Sequence, residues 1–427
     1  MSGFLVIGFF IILCVAGIPI AVSMALASIP FVLLGNVPLN LVAHRMINQL
    51  NSFPLLAVPM FILAANLMNT SGITNRLFSL ARILVGGFRG GLAQVNILAS
   101  LIFSGISGAA LADVGGLGNI EIKAMKEQGY AMEDAAAITI ASATIGPIFP
   151  PSIPLIIYGS VAEVSGVRLL ISGVVPGILI AIALMIMVAI IARKKNYPRD
   201  TERLTGRQAF RLAIDAFPAA LTPVFMLSGL LLGFFSPTEV AAITVFYALF
   251  LGVVVYRELK LKDIVKMCKE TVRSTATIMF IVAAAALFAY VMTIMRLPQL
   301  ITSGLLGLTK NPLLLLGLAN VILLIAGMIL EPIAAIMILT PILAPALTSA
   351  GVDPVHLGLV VVFNLMIGLL TPPVGMSLYM VSVISKVPVE RVVKATIPYY
   401  IPLLVALALV TIFPPLATWL PNLIFNK

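Results

Sequence analysis

Apolar stretches recur along this chain from Phe4 to Ile424, and many reach the roughly 18 to 20 residues a helix needs to cross a bilayer. Hydrocarbon offers no water to satisfy the backbone, so segments of this kind are confined to helices that bond their own N–H and C=O groups. The rest of the composition agrees. At 61% hydrophobic and only 10% charged, the chain has too little charge to cover a soluble surface. The expected class is an all-α polytopic membrane protein, surrounded by membrane lipid.

A formal net charge of +10 does not alter this. The basic residues concentrate in a few short loops, where the positive-inside rule places them, and no aromatic–basic stacking surface accompanies them. Nucleic acid is not an expected partner. Cys14 and Cys268 lie in separate apolar contexts, and His44 and His356 are separated by most of the chain, so neither a disulfide framework nor a metal cluster is read. The N-terminal apolar run has no basic region before it and no A-x-A cleavage site, and reads as a first span.

Two polar loops fix the topology. Residues 193–211 hold seven Lys/Arg against two acids, and residues 257–273 hold six against three. Both are placed in the cytoplasm. Apolar segments at about 213–234 and 236–256 lie between them, split at Ser236-Pro237, so two spans return the chain to the same side.

The first of these loops also divides two halves that repeat. Sliding the chain on itself by 222 positions places Gly105 on Gly327, Gly129 on Gly351, Ile145-Gly146 on Ile367-Gly368 and Pro150-Pro151 on Pro372-Pro373. Met60-Phe-Ile62 matches Met279-Phe-Ile281 at a slightly smaller shift. A common register over these positions indicates duplication. Arg76, Arg82, Arg89, Lys123 and Lys126 mark cytoplasmic segments in the first half, whereas the counterparts around 296–310 and 343–349 are nearly uncharged. The repeats are therefore expected to be inverted, an arrangement common in secondary transporters. The first is assigned to 1–212 with its cytoplasmic linker, and the second to 213–427.

On this topology residues 91–127 are too short for two full spans and break at Ser104-Gly-Ile-Ser-Gly-Ala109. They are expected to form a re-entrant hairpin, and residues 312–349, broken at Gly327-Met-Ile-Leu-Glu-Pro332, a second from the opposite side. Each precedes a segment interrupted by Gly and Pro, at about 131–163 and 356–386. Successive prolines remove donors and clash with the preceding turn, which predicts two broken helices. Opened turns persist in a membrane where protein, water or ligand satisfies them. Their carbonyls suit a small hard cation, and half-helix N-termini suit an anion. The alternative is that the prolines merely kink packed helices.

The polar residues near these breaks are Asp113, Glu331, Ser104, Ser107, Thr144, Thr371 and Ser152. An ionisable group among apolar neighbours is costly and points to function. The bland readings are that the acids reach water from helix ends and that the hydroxyls bond their own helix carbonyls. Residues 40–51 and 74–88 read either as interfacial helices or as connecting loops.

The chain resembles, over essentially its whole length, the large membrane subunit of tripartite ATP-independent periplasmic (TRAP) transporters, the DctM-type permease. The resemblance is carried by Pro59-Met-Phe-Ile-Leu-Ala64 with Asn66-Leu-Met68, by Phe103-Ser-Gly-Ile-Ser-Gly-Ala109 and by Ile145-Gly-Pro-Ile-Phe-Pro-Pro-Ser-Ile153. In the second half it continues in Gly327-Met-Ile-Leu-Glu-Pro332, Leu339-Thr-Pro-Ile-Leu343 and Leu370-Thr-Pro-Pro-Val-Gly375. It implies a sodium-coupled importer of an organic acid, sialic acid or a C4-dicarboxylate, working as an elevator in the bacterial inner membrane. It also implies a small four-helix membrane subunit and a periplasmic substrate-binding protein as partners.

Two or more Na⁺ sites follow from the same resemblance. The first maps onto Ser107, Asp113, Thr144 and Gly146, and the second onto Gly327, Met366, Gly368 and Thr371. Substrate would lie between them, near Ser107, Ser152 and Glu331. Many relatives carry Asp at the position of Glu331, which leaves its role open. A stand-alone divalent-anion/sodium symporter of the same architecture is the alternative. An intramembrane protease is disfavoured, because neither a paired-Asp G-x-G-D setting nor H-E-x-x-H occurs.

Overall fold

The computed structural model describes residues 3–34, 38–108, 110–198 and 205–425, with the side chains of residues 105–107 outside that set. Among the described residues every regular element is a helix. Eight of these helical segments are long and apolar enough to cross a bilayer by length and composition.

The first half opens with α1 (Gly3–Val15), α2 (Ile20–Leu34), α3 (Leu39–Leu50), α4 (Ala57–Thr70) and α5 (Ile73–Val85). The segment expected as the first hairpin forms α6 (Gly91–Ser107), α7 (Ala110–Gly115) and α8 (Leu117–Glu127). It has three pieces because Gly108 takes a left-handed φ of +58° and Gly115-Gly116 interrupt the chain again. Residues 131–163 form α9 (Met132–Ala143), an irregular turn, and α10 (Ile153–Ala162); α11 (Gly166–Ser172) and α12 (Val174–Lys194) follow.

The second half runs through α13 (Gly206–Leu231), α14 (Pro237–Phe250), α15 (Leu261–Ile294) and α16 (Leu297–Leu308). The second hairpin segment is α17 (Pro312–Ile329) and α18 (Pro332–Ser349). Residues 354–385 form α19 (Pro354–Gly368), a second irregular turn and α20 (Met376–Ser385), before α21 (Val389–Ile412) and α22 (Pro415–Phe425).

Many of these helices begin where the sequence provides both a cap and a proline. Ser236, Asn311, Glu331 and Asp353 each accept a backbone N–H of the first turn, and each is followed by proline. Proline is tolerated there because its missing N–H is one that the helix cannot use.

Burial identifies the centre of the molecule. In α9 every residue from Asp134 to Ala143 is buried, and in α19 every residue from Val355 to Gly368. A helix buried on all sides is wrapped by protein. The first halves of both broken helices therefore form the core, related by the repeat. Around them α4 lies against α14, and α15 crosses α2, α3 and α4.

The segments read as interfacial are helical. In α3 no residue is buried, whereas α5 buries one stripe, Ile73, Thr74, Leu77, Phe78 and Ala81. The opposite face of α5 carries Arg76, whose Nε donates to Asp215 at 3.0 Å and whose Nη1 donates to Glu258 at 2.8 Å. Its guanidinium also sits 3.7 Å from the Tyr256 ring centre. Burial works against the charge of Arg76, but the Glu258 hydrogen bond and the two carboxylates outweigh it and raise its pKa. Desolvation pushes the Tyr256 phenol up to about 12, so a neutral ring meets the cation. These contacts fasten α5 to α13 and to the segment that follows α14.

Candidate functional site

The two broken helices stop in the same manner. After Ala143 the chain turns through Thr144 to Pro151 and restarts at Ser152, and after Gly368 it turns through Leu369 to Val374 and restarts at Gly375. Both Pro–Pro peptides, Pro150–Pro151 and Pro372–Pro373, are cis. Proline pairs withhold N–H groups from the turn, so neither helix can run on. The C-terminal ends of α9 and α19 thereby direct partial negative charge into the protein interior.

The hairpin segments pack into these turns. At the first, the Gly108 carbonyl accepts the Ile153 N–H at 3.2 Å, and a Cβ at Gly108 would stand 2.6 Å from the Pro151 oxygen. Asp113 on α7 is 2% exposed, and a Cβ at Gly146 would collide with its Oδ2. At the second, a Cβ at Gly368 would meet the Gly327 Cα at 2.5 Å and its oxygen at 2.8 Å. Nearby the Gly375 N–H donates to the Met328 carbonyl at 3.1 Å. Asp113 and Gly146 thus meet at one break, and Gly327 and Gly368 at the other.

Gly146 and Gly368 are repeat equivalents, but their partners are not. The shift that carries Gly146 to Gly368 carries Asp113 to Ala335. One cradle therefore includes a carboxylate, whereas the other draws on backbone and hydroxyl oxygens. At each break the missing Cβ lets the hairpin segment pack directly against the helix end. Carboxylate, carbonyl and hydroxyl oxygens brought together in this way fit a small hard cation.

The hydroxyls follow the bland expectation for membrane helices. Thr144 donates to Ala141 O at 2.7 Å, Thr371 to Ile367 O at 2.7 Å, and Ser104 to Leu101 O at 2.7 Å. Each such oxygen keeps lone pairs that can face a cation. The Ser107 side chain lies outside the described residues. Met366 is buried in α19.

Two residues assigned to substrate serve local structure. Ser152 is fully buried as the N-cap of α10, where its Oγ accepts the Leu155 N–H at 3.1 Å and donates to the Pro147 carbonyl. Glu331 is the N-cap of α18, accepting the Ala334 N–H at 3.0 Å. Its carboxylate already complements that helix end.

Glu331 nonetheless lines a cavity of about 220 Å³ that both repeats share. Ala110–Ala112 and Pro147 of the first half and Met366 and Leu369 of the second contribute to its wall. Asn66 of α4 and Ser274 of α15 complete it. Neither was assigned a role from sequence, although Asn66 opens the Asn66-Leu-Met68 motif. Asn66 also donates to Thr271 Oγ1 at 3.1 Å, joining α4 to α15 beside the cavity.

A second set of polar residues escaped the sequence reading. Asn96 on α6 donates to Glu121 at 2.8 Å and to Thr139 at 2.8 Å, and accepts from Ser142. In the other half Asn364 donates to Asn320 at 2.9 Å, and Asn320 to Thr411 at 3.0 Å. The repeat places Ser142 on Asn364. Each broken helix is thus braced to its hairpin by a buried polar contact at the same position. In a low-dielectric interior such contacts are costly to break, so each hairpin and its broken helix form one unit.

Comparison with known proteins fits this arrangement. The chain is 43% identical over 409 residues to the sialic acid TRAP transporter large permease protein SiaM of Vibrio cholerae, covering 96% of each. It is 39% identical to the sialic acid TRAP transporter permease protein SiaT of Haemophilus influenzae, covering 97% of this chain and 67% of that protein. It is 38% identical to the C4-dicarboxylate TRAP transporter large permease protein DctM of Pseudomonas aeruginosa, covering 89% of each. The fold is like that of the Alcanivorax borkumensis YdaH transporter, with a TM-score of 0.66 at 18% identity over 89% of this chain and 90% of that one. Residues 7–416 match the family described as the tripartite ATP-independent periplasmic transporter, DctM component, and this chain, a multi-pass inner-membrane permease, belongs to that family.

Proposed function

We propose that this permease imports an organic acid, of the sialic acid or C4-dicarboxylate type, together with at least two sodium ions. The observation that carries the reading is the pair of glycine-bounded cradles, Asp113 with Gly146 and Gly327 with Gly368, on turns that also border one shared cavity. Sialic acid is favoured because two close relatives carry that name. In this reading α6–α10 and α17–α20 move as the transport domain, with re-entrant hairpins. The helices α4 and α13–α15 stay fixed. A small four-helix subunit braces them, and a periplasmic binding protein delivers the acid.

Uptake into proteoliposomes, assayed over a panel of carboxylates with and without the small subunit and the binding protein, tests this. Uptake is expected only with both partners present. Full activity of this chain alone would promote a stand-alone symporter.

The first ion site has its own test. Removing a charge that contacts a bound ion costs on the order of 1–3 kcal/mol, so Asp113→Asn should raise half-saturating sodium by about tenfold. Ser107→Ala is expected to act in the same direction more weakly. Reduced folding yield with unaltered sodium dependence would return both residues to a structural role.

A further inference from the structure

A second cavity, of about 400 Å³, lies beside the first along the same three helices. The central cavity touches Ile153 and Pro154 of α10, Ser274 and Ile278 of α15, and Glu331 to Ile333 of α18. The other touches Val161 of α10, Ala285 to Thr293 of α15, and Met337 and Pro341 of α18. On each helix the second set follows the first toward the C-terminus by one to two turns. Along α15 the gap from Ile278 to Ala285 is about 10 Å at 1.5 Å per residue. Since α15 starts at the basic loop 257–273, its C-terminal end and this cavity face outward.

Among the described residues the cavity has one charged residue, Arg45, an exposed side chain of helix α3, on which no residue is buried. Its guanidinium lies 4.7 Å from the Tyr290 ring centre. Among the described residues no carboxylate pairs with it and no acceptor takes a hydrogen bond from it. A ring face offers electrostatic contact but uses none of the five N–H donors of the fork. Asn48 and Gln49 place amide groups on the same wall, and among the described residues no Asp or Glu lines it. A fork of free donors in a cavity without acids matches a planar oxyanion.

We propose that this outer cavity is a vestibule in which Arg45 receives the carboxylate of the incoming acid, one station before the central site. This rests on the transport reading above for the identity of the acid. The chemistry is that of a single anionic oxygen group, which a lipid phosphate also carries. Two of the three shared helices, α10 and α18, lie in the proposed moving domain, whereas Arg45 and α15 do not. Elevator movement would therefore draw the central site away from Arg45.

The test uses the permease with its small subunit in vesicles, with Cys14 and Cys268 replaced by serine and Thr293→Cys as the target. Two membrane-impermeant methanethiosulfonates of similar size, one a sulfonate and one a trimethylammonium, are compared at low salt. The Arg45 charge acts with opposite sign on the two reagents; for a separation on the order of 8 Å in water, Arg45→Gln should lower the ratio of anionic to cationic labelling about fivefold. Arg45→Lys should keep the ratio. In phosphatidylcholine vesicles N-acetylneuraminate or succinate should slow the labelling. A ratio unmoved by Arg45→Gln overturns the proposal. So does labelling that these carboxylates leave unchanged, and if phosphatidylglycerol alone slows it the cavity is a lipid seat. Failure of uptake in the unaltered complex, with labelling as expected, would remove the transport reading and leave the vestibule standing.

Discussion

Replacing external sodium with potassium is expected to abolish substrate uptake into proteoliposomes, and the rate should rise more steeply than linearly with sodium. Both expectations come from the geometry of the two breaks. At each, the residue facing the hairpin is a glycine whose missing Cβ would collide with a neighbour, Asp113 at Gly146 and the Gly327 backbone at Gly368. The oxygens held at these packed breaks, from a carboxylate, helix-end carbonyls and hydroxyls, are the hard donors that sodium prefers. The carboxylate of one cradle and the C-terminal helix ends at both make the sites electronegative without a ligand set for a softer metal. Two proposed sites on turns that border one cavity would give the steeper than linear dependence, because substrate would meet its full environment only when both turns are ordered. Undiminished uptake in potassium, or uptake driven by a proton gradient alone, would overturn the coupling.

What could be read in advance was local in sequence or repeated. The Pro–Pro pairs announce their breaks because proline acts on its own turn, and the repeat then relates Gly146 to Gly368 without any knowledge of contacts. The basic loops are local in the same way, and give an expected side of the membrane. Other features depend on residues far apart in the chain. Asn66 meets Thr271 and Arg76 meets Glu258, and nothing in either neighbourhood names the partner. The polar braces at Asn96 and Asn320 were illegible because an amide in an apolar helix reveals a need for a partner but not its location.

The substrate residues illustrate a different limit. Ser152 and Glu331 both precede helices, and a Ser or Glu in that position can cap its own first turn. Sequence position alone does not separate a cap from a ligand. The structure shows the caps made in both cases, with Glu331 also reaching the cavity and Ser152 absent from its wall.

A single methyl group at Gly368 should remove transport without unfolding the protein. On helix propensity alone, Gly→Ala at a helix position is favourable by roughly 0.5–1 kcal/mol, so no loss of the fold is expected from the backbone. The obstacle is contact. The added Cβ would stand 2.5 Å from the Gly327 Cα and 2.8 Å from its oxygen, and both are main-chain atoms that cannot rotate away. The hairpin must then shift off the turn, opening the second cradle. Gly327→Ala should be milder, since its Cβ would meet the nearest atoms, of Leu365 and Gly368, at 3.0–3.2 Å. Gly317→Ala, on the same helix α17 with nothing within 4 Å of the added carbon, should be silent. The expected order of loss is therefore Gly368→Ala, then Gly327→Ala, then Gly317→Ala, with half-saturating sodium rising in the same order wherever activity remains. Thermal unfolding of the purified complex should stay cooperative in all three, with a lowered midpoint at Gly368→Ala from the clash but a folded protein at the assay temperature. A Gly368→Ala protein that transports with unaltered sodium dependence would show that no ion occupies the turn between Gly327 and Gly368, and would leave the Asp113 cradle as the sole site.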